Sequence, residues 1–555
     1  MSRSGKWKFS AAVAIVVLVA GFAFWLSCGG SNSSSTMGGS PSSPGSPSSP
    51  SSPSTVDVTT YHDDVARTGE NINETTLIPA NVNSAKFGKV AFFTTDGKVD
   101  AEPLYLSQIS MGSQGMRNVL YVATEGDTVY AFDADTGAIL WQKSMLAGSE
   151  TTSEAVNGCS QVSPQIGITS TPVIDRAHNV IYVVAMSKSG STTYIQRLHA
   201  LDLTTGNELT GSPVTIQASF PGSGDNSSGG RVVFDPKQYE ERAALLLLNG
   251  NIYTTWTSHC DIRPYTGWII AYNATTLAQS QVLNVTPNGN EGSIWMSGAG
   301  PGADSAGNIY FLQANGTFDT TLNSGGFPSQ GDFGNSFMKL STSGGLTVAD
   351  YFAMSNTVAE SDVDQDLGSG GALVLPDMMD SGGSVHHLAV GAGKDQIIYV
   401  VNRDSMGKFS PSTNNIYQEI QGALSGQVFS MPAYFNNTVY FGAVGDAIKA
   451  FPISNAKLAV TPSSKTAASF VYPGATPGIS ANGTSNGIVW AVENAGTAVL
   501  HAYDATNLAN ELYNSNQASG GRDHFGAGNK FITPLIVNGK VFVGTQTGIA
   551  VFGEM

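Results

Sequence analysis

The chain has 555 residues, of which 41% are hydrophobic and only 12% charged, with 64 glycines and a formal net charge of −16. An acidic balance of this size argues against nucleic acid and anionic lipid as partners. Low charge combined with many Ser, Thr, Asn and Gly residues fits an exported β-rich protein whose surface is polar but uncharged.

Arg3, Lys6 and Lys8 precede an apolar run, Ala11 to Leu26, which ends in Ser27-Cys28-Gly29-Gly30. A basic start, an apolar core and small residues after it make residues 1–28 an export signal. The run is slightly short for a membrane-spanning helix. Cys28 resembles a bacterial lipoprotein cleavage site, although Trp25 stands where Leu is usual, three residues earlier. A lipidated Cys28, a plain cleaved signal and an uncleaved anchor are all open. Residues 29–55 are nearly all Ser, Pro and Gly, with nothing to bury, and read as a disordered tether. Membrane contact is therefore expected only through a lipid or signal anchor, in the periplasm or at the outer membrane or cell surface.

Residues 56–555 form one long β-rich body. Its key stretch is Asn118 to Trp141, NVLYVATEGDTVYAFDADTGAILW. Val119 to Ala123 reads as a strand, Glu125-Gly126-Asp127 as a turn, and Thr128 to Phe132 as the returning strand. Asp133 to Gly137 is a polar turn, with Gly137 free to take positive φ, and Trp141 lies in a third strand. Similar segments begin at Asn179, Asn251, Asn308, Gln396, Thr438, Gly487 and Lys540. Eight copies, about 55 to 60 residues apart, predict radial repetition. No unit can bury both of its faces alone. The expected fold is all-β, an eight-bladed β-propeller with four-stranded blades. The widest interval, Tyr310 to Tyr399, is expected to carry long loops.

The three cysteines are Cys28, Cys159 and Cys260. With Cys28 removed or lipidated in an oxidising compartment, a Cys159–Cys260 disulfide between loops of neighbouring blades is expected. Two buried free thiols are the alternative.

The unit from Ala131 to Trp141, the segment Gly167 to Asp175 and the stretch Gly526 to Thr545 resemble quinoprotein alcohol dehydrogenase-like propellers. More closely, the chain is similar to exported, acidobacterial-type pyrroloquinoline quinone (PQQ) repeat proteins. The resemblance implies an eight-bladed ring with Trp residues docking blade to blade. It specifies fold more than chemistry, because many such repeats bind no quinone, among them scaffold subunits of outer-membrane assembly machinery.

A quinone dehydrogenase needs an aromatic floor, a Ca²⁺ held by hard oxygens, a carboxylate base and a cation near the quinone oxygens. The resemblance implies Trp295 as floor, Asn315 as metal ligand, Asp364 as base, Asp366 as a further metal-site carboxylate, Lys394 as the quinone contact and Asp261 near a ligand position. Each also has a plainer reading: blade packing for Trp295, a turn for Asn315, a solvated acidic loop for Asp362, Asp364 and Asp366, and an exposed lysine before a strand for Lys394. The chain departs from the family in three ways. It lacks the vicinal Cys pair, Gln165-Ile166-Gly167 stands where an Arg is expected, and no Cys-x-x-Cys-His is present for covalent haem. His386 and His387 are adjacent in an extended chain and are expected to face opposite ways, not to share a metal. The expected role is a binding or scaffold module of the cell envelope with a protein or glycan partner. The alternative is a periplasmic, PQQ- and calcium-dependent alcohol or sugar dehydrogenase.

Overall fold

The computed structural model describes residues 56–154 and 156–555. The expected export signal with Cys28 and the expected tether lie outside the described residues. Among those described, no helix is long and apolar enough to cross a membrane.

The described residues form eight sheets of four or five strands, with a three-stranded and a two-stranded sheet beside them. Seven of the eight recurring segments are the second strand of a separate sheet, as in Met116–Ala123, Val180–Ser189 and Lys540–Gly544. The copy beginning at Gln396 is an exception. Its strand, Ile398–Asn402, is the third in its sheet, and Leu388–Ala392 takes the second place. Both are short apolar runs bounded by turn residues, so pattern alone does not rank them. The interval after Tyr310 does hold extra structure, including the helix Thr357–Asp362.

Strands such as Thr128–Asp133 are buried on both faces, because each sheet is covered on two sides. Val180 and Tyr182 of the second sheet share a core with Ile252 and Trp268 of the third. Ile488 and Trp490 pack with Val541 and Phe552 of the last sheet. Val122 and Phe132 of the first sheet in turn pack with Phe542 and Val551 of the last. Packing thus passes from sheet to sheet in chain order and returns to its start, the arrangement of a β-propeller. The strand Phe87–Thr94 pairs with Gly548–Glu554, so early and final segments share one sheet.

The polar turn after the third strand of each of the first two sheets is built by one side chain. Asp133 Oδ1 accepts the Asp135 and Thr136 amides (3.0 and 2.9 Å), and Asp202 Oδ1 does the same for Thr204 and Thr205. Trp141 docks on the turn of the next sheet. Its indole N–H donates to the Leu203 carbonyl at 2.9 Å, and a Cβ at Gly206 (φ 69°) would lie 2.5 Å from the indole.

One feature is absent from the sequence pattern. The segment 58–71 threads the axis and bonds to each of the eight larger sheets. The second residue of six inner strands donates its N–H to this strap: Tyr105 to Val58, Ile174 to Thr59, Ala303 to Val65, Val374 to Ala66, Tyr434 to Thr68 and Ile479 to Gly69. The third sheet is reached by the fully buried Arg67 through the Leu245 carbonyl, and the last by the Asn71 amide at Ile536.

Candidate functional site

The loops that lead into the inner strands surround a cavity of about 290 Å³. Four aromatic side chains line it and touch one another edge to face. Trp295 lies 6.1 Å from both Phe429 and Phe531, and Tyr472 lies 5.4 Å from Phe429 and 6.3 Å from Phe531. Trp295 is half-buried, unlike the fully buried Trp256, Trp268 and Trp490 of the cores. The two residues after it, Met296 and Ser297, have φ of 41° and 54°. Such left-handed positions cost non-glycine residues energy and gather at functional sites. Ser297 is held there by a 2.6 Å hydrogen bond to the Ser369 carbonyl.

Asp364 follows the helix Thr357–Asp362 and also sits at positive φ, 59°. Its carboxylate is two-thirds exposed at the cavity and accepts from the Asn315 amide at 2.7 Å and the Lys394 ammonium at 2.5 Å. Lys394 also lies 2.7 Å from Asp366, which is fully buried. Burial pushes the Asp366 carboxyl up to about 6, with Lys394 pulling the other way. Burial works against the Lys394 charge, but Asp366 and Asp364 outweigh it and hold the ammonium above its ordinary range.

Asp261 lines the cavity from the neighbouring loop, with Tyr265 Oη donating to it at 3.1 Å. Cys159 and Cys260 form a disulfide and contribute to the cavity wall. Trp295, Asp261, Asp364 and Lys394 therefore line one cavity, and Asn315 and Asp366 stand one bond behind it. Among the described residues no cluster of three or more His, Cys, Asp or Glu is arranged to hold a metal ion. Between the two carboxylates of the Asp364-Gln365-Asp366 segment stands the ammonium of Lys394. His386 and His387 engage separate carboxylates, Asp380 and Asp404, each at 2.9 Å.

Sequence reasoning missed Arg242, Phe429, Tyr472 and Phe531. The three rings share a weak positional signal: each lies a few residues before an inner strand led by proline, at Pro432, Pro477 and Pro534. Arg242 faces the cavity because it alternates with Glu241, whose carboxylate turns the other way to accept the Thr255 amide at 3.0 Å.

Residues 88–251 match the family model described as outer membrane protein assembly factor BamB. No curated protein matches the chain in sequence. Among solved structures, the quinohemoprotein alcohol dehydrogenase from Comamonas testosteroni aligns with a TM-score of 0.58 at 14% identity, over 90% of this chain and 80% of that one. A quinohemoprotein alcohol dehydrogenase from Pseudomonas putida HK5 gives 0.58 at 13% identity with the same coverage. A europium-containing methanol dehydrogenase gives 0.58 at 13%, over 90% of this chain and 98% of that one. At such identities, what is common is the fold.

Proposed function

We propose that this PQQ-repeat, quinoprotein-like β-propeller is an exported binding module of the cell envelope, with its eight larger sheets as eight blades and its ligand site in the axial cavity. The observation that carries this reading is the convergence of Trp295, Asp261, Asp364 and Lys394 on one cavity. Strained backbone at Cys260, Asp261, Ser297 and Asp364 around the same space supports it. The match to an outer-membrane assembly factor over residues 88–251 supports a binding role, and a protein or glycan partner at the outer rim is compatible with a small ligand on the axis.

The residues test differently against the two groups that the alternative requires. A flat, anionic quinone such as PQQ fits a cavity of aromatic rings with Arg242 and Lys394 in its wall. Calcium, which takes six to eight oxygens, fits poorly where the Lys394 ammonium already joins Asp364 and Asp366. Lys394 supplies the positive charge between these two carboxylates, and the favoured role is binding without metal-assisted chemistry.

One observation favours the second reading, a PQQ- and calcium-dependent alcohol or sugar dehydrogenase. Asn315 Oδ1 and Asp366 Oδ2 are buried acceptors with no donor, the kind of oxygen a hard cation takes. PQQ when bound would supply the electron sink. The exposed Asp364 carboxylate would receive the substrate hydroxyl proton, while Asn315 and Lys394 hold it in place. Calorimetric titration with PQQ, with Ca²⁺ and with EDTA, followed by dye-linked oxidation of alcohols and aldoses, separates the two. Metal-independent binding without turnover supports the binding module. Calcium-dependent binding with turnover supports the dehydrogenase, and no binding under either condition removes both.

A further inference from the structure

His62 lies in the axial strap, and the hydrogen bonds of its ring do not fit a neutral imidazole. The residue is 1% exposed. Its Nδ1 lies 2.9 Å from the Arg67 carbonyl oxygen, and its Nε2 lies 2.9 Å from the Pro477 carbonyl oxygen. A carbonyl oxygen only accepts, and a neutral imidazole carries a single N–H. The imidazolium, with a proton on each nitrogen, bonds both carbonyls. In either neutral tautomer one lone pair would face a carbonyl oxygen, where almost no water reaches to replace the missing bond.

The two carbonyls belong to different parts of the molecule. Arg67 closes the strap's own loop, in which the His62 carbonyl accepts the Gly69 amide at 3.1 Å. The ring packs so closely on Gly69 (φ 66°) that a Cβ there would lie 2.3 Å from it. Pro477 stands directly before Gly478–Asn482, the inner strand of the seventh sheet. Next to it Ile479 donates to the Gly69 carbonyl at 2.7 Å, and Glu70–Asn71 pairs in parallel with Ile479–Ser480. One ring thus joins the loop 62–69 to the sheet on which it rests.

The groups facing it are Asp63, Asp64 and Arg67 of the strap, Tyr61 stacked 5.4 Å away, and Glu102, whose carboxylate accepts the His62 amide at 2.9 Å. Burial is the largest influence on the ring and, with Arg67, pulls its pKa down, while the two carbonyls and Asp64 push it up. Two acceptors at 2.9 Å decide for the charged form, because neither can be met by a lone pair. From this geometry we infer that His62 is a pH-sensitive latch. As the imidazolium it fastens the strap to the seventh sheet, and on losing a proton it lets go of one of the two carbonyls. A charged folded form sets the ring above the 6.5 of a free histidine. The latch is therefore complete below about 6.5 and is lost as the pH rises through the folded value. It is independent of what the axial cavity binds.

The test uses the full-length protein labelled with ¹⁵N-histidine, together with amide hydrogen exchange read segment by segment. His62→Asn is the control, because Asn tolerates the φ of 57° at this position and does not titrate. At about pH 6 both ring nitrogens of His62, identified by their absence from the variant's spectrum, are expected to be protonated. From about pH 6 to about pH 9, exchange protection of residues 62–71 and 478–482 is expected to fall roughly 10- to 100-fold, the scale of one hydrogen bond to a charged group. His62→Asn is expected to show no such fall. Asp63, which burial and Asp64 push up to about 8, titrates in the same range but is present in both proteins. A fall that persists in the variant belongs to Asp63 and overturns the inference. A neutral His62 ring at about pH 6, or protection that does not change with pH, overturns it as well, and both are read on the wild type alone.

Discussion

The Lys394 ammonium lies 2.7 Å from the Asp366 carboxylate, a contact in which the acid is fully buried and the lysine side chain is 9% exposed. The pair sits directly beneath the cavity, with Asp364 closing it on the exposed side. Two desolvated charges in this arrangement stabilise one another mainly by preventing either from being left alone.

Lys394→Met is therefore expected to destabilise the fold by about 3 kcal/mol, the cost of stranding a buried carboxylate. Lys394→Met with Asp366→Asn is expected to recover most of that loss. Urea denaturation midpoints of the two variants and the wild type check it. Equal midpoints for the single and double variants would contradict the pairing.

The same acid gives the cavity a pH dependence. Burial places the Asp366 carboxyl near 6, above the 3.8 of a free aspartate, so the folded state holds a proton that the unfolded chain releases. Its contribution to stability is complete below about 3.8 and is lost as the pH rises toward 6. Asp366→Asn is expected to flatten the thermal stability profile across that window. Protonation of Asp366 also releases Lys394 from one of its two partners. An anionic probe such as PQQ is accordingly expected to bind more tightly at pH 5 than at pH 7 in the wild type, and equally at both in Asp366→Asn.

Much of the molecule was legible because propeller blades repeat. Val119 to Ala123 and its copies carry apolar residues on both faces, a local pattern that reports a strand covered on two sides. The fifth sheet was misassigned by one strand because Leu388–Ala392 and Ile398–Asn402 look alike. The candidate residues Trp295, Asn315, Asp364 and Lys394 could be found because each stands beside a recognisable turn or strand. Arg242 could not, since a charged residue after Glu240 and Glu241 reads as a solvated run, and only pairing with Trp256 to Ser258 fixes which side it faces. The axial strap was invisible for a similar reason: residues 58–71 reach six of the eight larger sheets through backbone atoms, which leave no mark on side-chain pattern.

The strap makes a prediction about truncation. A chain beginning at Val56, the first described residue, is expected to keep the melting temperature of the full chain. A chain beginning at Asn73 loses the acceptors for six inner-strand N–H groups and Arg67 with its bonds to Thr60, Tyr61 and Pro301, and is expected not to fold. Circular dichroism and limited proteolysis of the two chains distinguish them.

The disulfide ties the loop holding Cys159 to the loop holding Cys260 across a sequence separation of 101 residues. Cys159→Ser with Cys260→Ser is expected to lower stability by about 2–5 kcal/mol. Because both residues also border the cavity, PQQ affinity is expected to fall along with the denaturation midpoint. A stability loss with unchanged affinity would separate the bridge from the ligand site.

The most direct measurement is a crystal structure of the protein soaked with PQQ in the presence of EDTA. The account predicts density for the flat ring among Trp295, Phe429, Tyr472 and Phe531, with Lys394 still paired with Asp366. Ordered PQQ outside this cavity, or a cavity that stays free of it at concentrations that saturate the protein in solution, would contradict it.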